Sequence, residues 1–296
     1  MVPKSIYEDL LIVTRTFVFW GAVMKMSETQ LFVIGDIHGE RKMLETLLKF
    51  WMVDSQLLVF LGDLVDRGPD SYGVIRIARK LRDEYGAVVL GGNHESYFLE
   101  FLDNPEDKYF LQWAYDESII NDSEEAAMSV SISYYSNGGN KTINSFYGGN
   151  YAYRYCPSRH AEYIKNNFPY DIEFLRSLPD YFESGDYVFV HAGINLAYLD
   201  WRKTSSWEYR SIRSPFHKMK NETGKIIIFG HHPTRYLNND KQDEVWLSSC
   251  GTKIGIDGAA VFGGKLHGLE IGRDEIIVNS IDKVGYVEKR PIRSRQ

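Results

Sequence analysis

Apolar and polar positions alternate along this chain so that short apolar runs repeatedly end at a glycine beside a ligand-type side chain. Leu31 to Ile34 is the first such run, and Met43, Leu44, Leu47, Leu48 and Trp51 follow it at helical spacing on one face. "QLLVFL" from Gln56 to Leu61 predicts a second strand. Val74, Ile75, Ala78 and Leu81 then mark an amphipathic helix, which Gly86 can end by taking a left-handed conformation. "AVVLG" is a third strand. This β-α-β-α-β order predicts a parallel sheet covered by helices, and so an α/β fold.

"YVFVHAG" (187 to 193) and "KIIIFGHHP" (225 to 233) are two further apolar strands that run into polar residues. Short strand-like runs at Lys253 to Ile256, Lys265 to Ile271, Glu275 to Val278 and Val284 to Val287 predict a second sheet. Between these halves, 103 to 186 is rich in tyrosine, asparagine and glycine and reads as helix plus loop, forming a lid or rim. The organisation expected is an N-terminal extension at 1–28, a single domain at 29–288 and a flexible basic tail at 289–296. Within the extension, "LLIVTRTFVFWGAVM" (10 to 24) is apolar. Arg15 and two threonines interrupt it, however, and it is too short for a membrane span. It is read as lying upstream of a start at Met24 or Met26, with a packed helix as the alternative, and with no stable membrane association.

Composition narrows the function classes. With 34 basic against 40 acidic residues the formal charge is -6, which offers no basic face for neutralising phosphates, so no nucleic-acid partner is expected. Cys156 and Cys250 are two thiols in 296 residues, without metal-type spacing, which favours a reducing, cytoplasmic setting.

The chemistry collects at the strand ends: "GDIHG" at 35–39, "GDLVDRG" at 62–68, "GGNHE" at 91–95, "HAG" at 191–193 and "GHH" at 230–232. In a mainly parallel sheet the carboxyl ends of the strands share one edge, so residues far apart in sequence converge there. What converges is a mixed oxygen and nitrogen donor set, which suits a pair of divalent transition metals better than calcium or a thiolate zinc site.

As a set, "GDIHG", "GDLVDRG", "GNHE", "HAG" and "GHHP" resemble the signatures of the phosphoprotein phosphatases, within the calcineurin-like metallophosphoesterase superfamily. "NGGNKTINSF" (137–146) and "IDGAAVFGGKL" (256–266) resemble segments of its small bacterial and phage branch, in the expected order. The resemblance runs from about Leu31 to Ile271. It implies a four-layer fold of two mixed β-sheets flanked by helices, with a metal site at the carboxyl ends of the strands. It also implies a serine/threonine protein phosphatase using two divalent transition-metal ions, manganese first and iron or zinc as alternatives. Residue by residue, Asp36 and His38 would hold the first metal, Asp63 would bridge both, and Asn93, His191 and His231 would complete the second. A hydroxide between the metals would be the nucleophile. Arg67 and Arg213 would clamp the phosphoryl oxygens, and His94, paired with Asp66, would protonate the departing oxygen.

The sequence departs from that pattern in places. Ser211 stands where tryptophan is usual, which leaves Arg210 or Arg202 as alternatives to Arg213. His232 stands where relatives often have threonine, and Gly91 where a basic residue commonly precedes GNHE. A second enzymatic reading is therefore a dinucleoside tetraphosphate hydrolase, with aromatic residues around Tyr134 to Tyr155 stacking on adenine; the glutamate of GNHE leans toward the phosphatase. A third reading is a non-catalytic scaffold, whose mark would be a missing ligand, Asp66 or His94, and none is missing. Asp257 reads as a structural hydrogen-bonding group, and His160, His217 and His267 as packing or surface residues.

Overall fold

The computed structural model describes residues 30–105, 130–149 and 156–292. The expectations for 1–28, for the end of the tail beyond 292 and for the aromatic residues at 150–155 lie outside the described residues.

Strand β1 (Gln30–Ile34) pairs in parallel with β2 (Gln56–Phe60), and β2 with β3 (Val88–Val89), as the β-α-β-α-β pattern predicts. Helix α1 (Arg41–Leu47) and helix α2 (Ser71–Tyr85) make the crossovers. Asp70 caps α2 by accepting the Gly73 N–H, and Gly86, at φ 71°, ends it. Helix α3 (Asn93–Asp103) begins directly after β3, and α4 (Val130–Tyr134), a π-type turn (Tyr135–Gly139) and α5 (Asn140–Phe146) form one continuous stretch.

Strands β4 (Tyr181–Ser184), β5 (Tyr187–Val190), β6 (Ile226–Phe229), β7 (Trp246–Leu247) and β8 (Lys253–Gly255) make the second sheet in the order β4-β5-β6-β8-β7. Here the structure corrects the sequence reading. Of the four C-terminal runs, only Lys253–Gly255 belongs to this sheet. β9 (Lys265–Ile271), β10 (Ile276–Asp282) and β11 (Val287–Pro291) extend the first sheet as an antiparallel meander in which β9 pairs with β1, giving β11-β10-β9-β1-β2-β3. Of the expected flexible tail at 289–296, residues 289–291 are ladder residues of β11, and Ile292 donates its N–H to Ile276 O. Both sheets are mixed.

The alternation along each strand explains the layering. Leu31 and Val33 face Phe189, Ile228 and Ile254, so the two sheets pack against each other. Phe32, Ile34, Leu58 and Phe60 point the other way, onto α1, α2 and α3 through Leu44, Val74 and Phe98. On the outer face of the second sheet Val188, Val190 and Phe229 pack under Trp201, Tyr209 and Phe216. Of the segment expected to be a lid or rim, 106–129 and 150–155 lie outside the described residues, and Tyr134, Ile143 and Phe146 are core, buried against α3. Because the central strands are covered on both faces they read as continuous apolar runs, and each such Phe or Ile contributes about 1.5–3 kcal/mol by leaving water. No helix among the described residues is long and apolar enough to cross a membrane.

Candidate metal centre

Five strands of two sheets deliver the donors to one edge. Asp36 and His38 follow β1, Asp63 follows β2, Asn93 opens α3 after β3, His191 ends β5 and His231 ends β6. Asp36, His38, Asp63, Asn93 and His191 are buried, and His231 is partly so. Of the seven non-glycine residues with positive φ among the described residues, five are His38, Asp63, Asp66, Arg67 and His231. Strained backbone is thus concentrated where side chains must be turned onto one point.

Asp63 lies at the middle. Its Oδ1 is 3.3 Å from His191 Nε2 and its Oδ2 is 3.4 Å from His38 Nε2. His38 Nδ1 donates to Val65 O at 2.7 Å and His191 Nδ1 to Leu61 O at 2.9 Å. These bonds fix the tautomers and leave each Nε2 to face the carboxylate, the second-sphere arrangement typical of metal-ligating histidine. A lone pair facing a carboxylate oxygen calls for a cation between them, and the residues fit a metal on that ground. The Asp63 carboxylate also makes this point favourable for positive charge. Burial pulls the His191 ring down, but the Asp63 carboxylate outweighs it and pushes the ring up to about 9. Burial raises Asp63, yet His191 and the neighbouring rings hold it well below the carboxylate range. Burial, and the nearby Asp257, hold Asp36 well above that range.

Donor atoms of Asp63, His191 and His231 lie within 4.8 Å of one another, and so do those of His38, Asp63 and His94. Asp63 therefore belongs to both groups. Asn93 Oδ1 sits 3.1 Å from His191 Nε2 and 2.9 Å from His231 Nδ1, while both Asp36 oxygens accept the His231 N–H. All six residues expected as ligands converge.

His94 Nδ1 lies 2.7 Å from Asp66 Oδ2, both groups buried. Burial lowers the imidazole's basicity, but Asp63 and the Asp66 hydrogen bond more than offset it, so the ring sits above its ordinary value. Arg67 reaches His38 Nε2 at 2.7 Å and lies over the Phe262 ring, and Arg213 Nε donates to His231 Nε2 at 3.1 Å. Both arginines line a cleft of about 300 Å³ with Asp63, Asn93, His94 and His231. The alternatives to Arg213 are engaged elsewhere: Arg210 donates to Asp180, Ser96 and Leu178 O, and Arg202 pairs with Glu183. Arg210 also fills the space beside Gly91, where an added Cβ would meet its guanidinium carbon at 2.7 Å.

Other expectations resolve in the same region. His232 lines the cleft and stacks on His217. Asp257 lines it too, accepts the Ala259 N–H, and is pushed up to about 6 by burial. Tyr134 is only 2% exposed and donates to Asp66, so it is not free to stack on adenine; the exposed rings at the cleft are Tyr236 and Phe262. His160 and His267 are buried. A larger cleft of about 480 Å³, among His217, Trp246 and Cys250, contains none of the expected site residues.

Sequence reasoning missed the structural task of Glu95. Its carboxylate accepts the N–H groups of Asp63, Leu64 and Gly92 at 2.8–2.9 Å and so pins the loop that presents Asp63. A glutamate three residues after the helix-opening Gly92, placed to accept that residue's N–H, was the available signal.

Comparison with known proteins bears on this geometry. A family model described as calcineurin-like phosphoesterase matches residues 29–264. Serine/threonine-protein phosphatase 2 of Escherichia coli is 35% identical over 103 residues, 32% of this chain and 43% of that protein. A symmetrical bis(5'-nucleosyl)-tetraphosphatase of Buchnera aphidicola is 34% identical over 119 residues, 34% of this chain and 43% of that protein. The chain thus spans less than half the length of these curated relatives. A solved structure provisionally assigned as a diadenosine tetraphosphatase shares the fold, with a TM-score of 0.53 at 20% identity, covering 89% of this chain and 94% of that one.

Proposed function

The chain belongs to the calcineurin-like phosphoesterase family, and on that premise we propose that it is a dinuclear-metal phosphoesterase that hydrolyses phosphomonoesters, with serine and threonine phosphates of proteins as its substrate class. One observation carries the reading: the Asp63 carboxylate faces His38 through one oxygen and His191 through the other, beside two arginines and a buried His94–Asp66 pair. Asp36, His38 and Asp63 would hold one divalent ion and Asp63, Asn93, His191 and His231 the other, with manganese the first choice and iron or zinc the alternatives. Such ions, when bound, supply the Lewis acidity that activates water near neutral pH and offsets phosphoryl charge.

The chain's own side chains do the remaining work. Arg67 and Arg213 bind the non-bridging phosphoryl oxygens, because a guanidinium offers a planar fork of donors to a tetrahedral anion. His94, cationic and oriented by Asp66, gives a proton to the departing alkoxide. Glu95 keeps the Asp63 loop in register.

A second reading, hydrolysis of dinucleoside tetraphosphates, draws on the relatives bearing that name and on the exposed rings of Tyr236 and Phe262 beside the cleft. A panel with manganese separates the two. Phosphate release from a phosphoserine peptide, with little cleavage of diadenosine tetraphosphate, is the expected result. The reverse pattern overturns the substrate class, and turnover of neither, nor of p-nitrophenyl phosphate, overturns the enzymatic reading in favour of a metal-binding scaffold.

A further inference from the structure

The segment "NGGNKTINSF" is far in sequence from every expected ligand, yet it meets the site at one place. Asp66 and Arg67 are consecutive residues at φ 71° and 68°, a left-handed pair that costs non-glycine residues about 1–3 kcal/mol each unless neighbours hold it. The helical stretch 130–146 supplies the hold. Arg67 donates its N–H to Gly138 O at 3.1 Å, and Asp66 donates its N–H to Thr142 Oγ1 at 2.8 Å and to Ser71 Oγ at 3.1 Å. The π-type turn is what brings Gly138 this close: a Cβ there would lie 2.7 Å from Arg67 Cγ.

The same stretch also addresses the Asp66 carboxylate. Oδ2 is taken by His94 Nδ1, and Oδ1 receives two hydroxyls, Thr142 Oγ1 at 2.7 Å and Tyr134 Oη at 2.9 Å. Thr142 has one proton to give. With that proton on Asp66, its lone pairs take the Asp66 N–H and the hydroxyl of Ser71, 2.9 Å away, so every hydrogen-bonding capacity of the buried group is used. Burial and the adjacent Asp66 hold Tyr134 well above the ordinary phenol range, so it remains a donor. A buried carboxylate with both oxygens committed cannot rotate, and the ring it holds cannot rotate either.

We infer that Thr142 and Tyr134 are positioning residues for proton donation. Their hydroxyls lock Asp66, which fixes the His94 ring with Nδ1–H on Asp66 and the other ring nitrogen toward the cleft. The effect on catalysis rests on the leaving-group role proposed above for His94; the effect on the ring does not.

The test uses the full chain and reads both. In metal-free protein, the downfield imidazole N–H signal that His94→Asn abolishes reports the Nδ1–H bond to Asp66. Thr142→Val should shift or broaden that signal, Thr142→Ser should restore it, and Tyr134→Phe, which removes one hydroxyl without a cavity, should shift it less. With metals bound, Thr142→Val should slow alkyl phosphate hydrolysis on the order of tenfold, part of the 10²–10⁴ that general acid catalysis provides, and leave p-nitrophenyl phosphate nearly unaffected. An unchanged signal in folded Thr142→Val and in Tyr134→Phe overturns the positioning claim. A changed signal with equal losses on both substrates overturns its catalytic consequence. If His94→Asn itself shows no leaving-group selectivity, the fault lies in the His94 reading, and the signal still decides whether the hydroxyls hold the ring.

Discussion

The two carboxylate oxygens of Asp36 both receive the backbone N–H of His231, at 2.9 and 3.1 Å, although the residues are 195 positions apart. The end of β1 in one sheet is thereby tied to the end of β6 in the other, and the seam between the sheets becomes part of the candidate metal centre. Gly230 makes the approach feasible, because a Cβ there would lie 2.0 Å from Asp36 Oδ1. Gly230→Ala should push the carboxylate out of place while leaving the apolar seam intact. The expected result is a fall in first-site manganese affinity on the order of 10- to 100-fold, as for lost supporting contacts in other metal sites. Calorimetric titration with manganese checks it; undiminished affinity would mean that Asp36 is not a ligand held this way.

Asp63 belongs to both donor groups, and so its loss should be felt twice. Asp63→Asn replaces a shared anion with a neutral amide, and elemental analysis of the purified variant should show both cations depleted. Retention of one ion at full occupancy would confine Asp63 to a single site.

A separate prediction concerns stability. His267 is buried between Ser280 Oγ, 2.8 Å from Nδ1, and Asp243 O, 2.6 Å from Nε2. The carbonyl fixes Nε2–H as donor and Nδ1 as acceptor, and burial pulls the ring down from 6.5 to about 4. As pH falls from 6.5 toward 4 the unfolded chain gains a proton that the folded chain refuses, so stability falls, by about 3 kcal/mol at most for the full shift. His267→Asn should flatten the decline of Tm between pH 7 and 5, whatever it costs at pH 7. A decline as steep as in the parent chain would assign the acid sensitivity to other groups.

The donor set was legible because glycine, carboxylate and imidazole interrupt apolar runs, and the parallel β1-β2-β3 order puts such interruptions on one edge. The partition of the C-terminal strands was not legible. β9 is apolar enough for either sheet, and only its antiparallel register with β1, Leu31 opposite Ile271, decides. β11 was hidden by its charges, since "EKRP" looks like a solvated tail. In the fold Lys289 meets Glu270 and Arg290 meets Glu244, and Pro291 is tolerated because the strand is an edge. Thr142 and Tyr134 carry no local sign of their task, because Asp66 is 76 and 68 residues away.

The leaving-group role of His94 makes a claim that no other role for the residue makes. An alkoxide leaving from a serine or threonine phosphate is strongly basic and needs a proton as the P–O bond breaks, whereas a nitrophenolate departs unprotonated. His94→Asn should therefore slow alkyl phosphate hydrolysis by roughly 10²–10⁴ and p-nitrophenyl phosphate hydrolysis far less. Arg67→Ala should slow both alike, because it acts on the phosphoryl group the two substrates share. Metal content has to be measured alongside. His94 adjoins Asn93, and its N–H donates to Asp63 Oδ1 at 3.1 Å, so a disturbed loop could imitate a chemical defect. Equal losses on the two substrates in a variant that keeps both metals would remove His94 from the proton-transfer step and leave it a structural partner of Asp66.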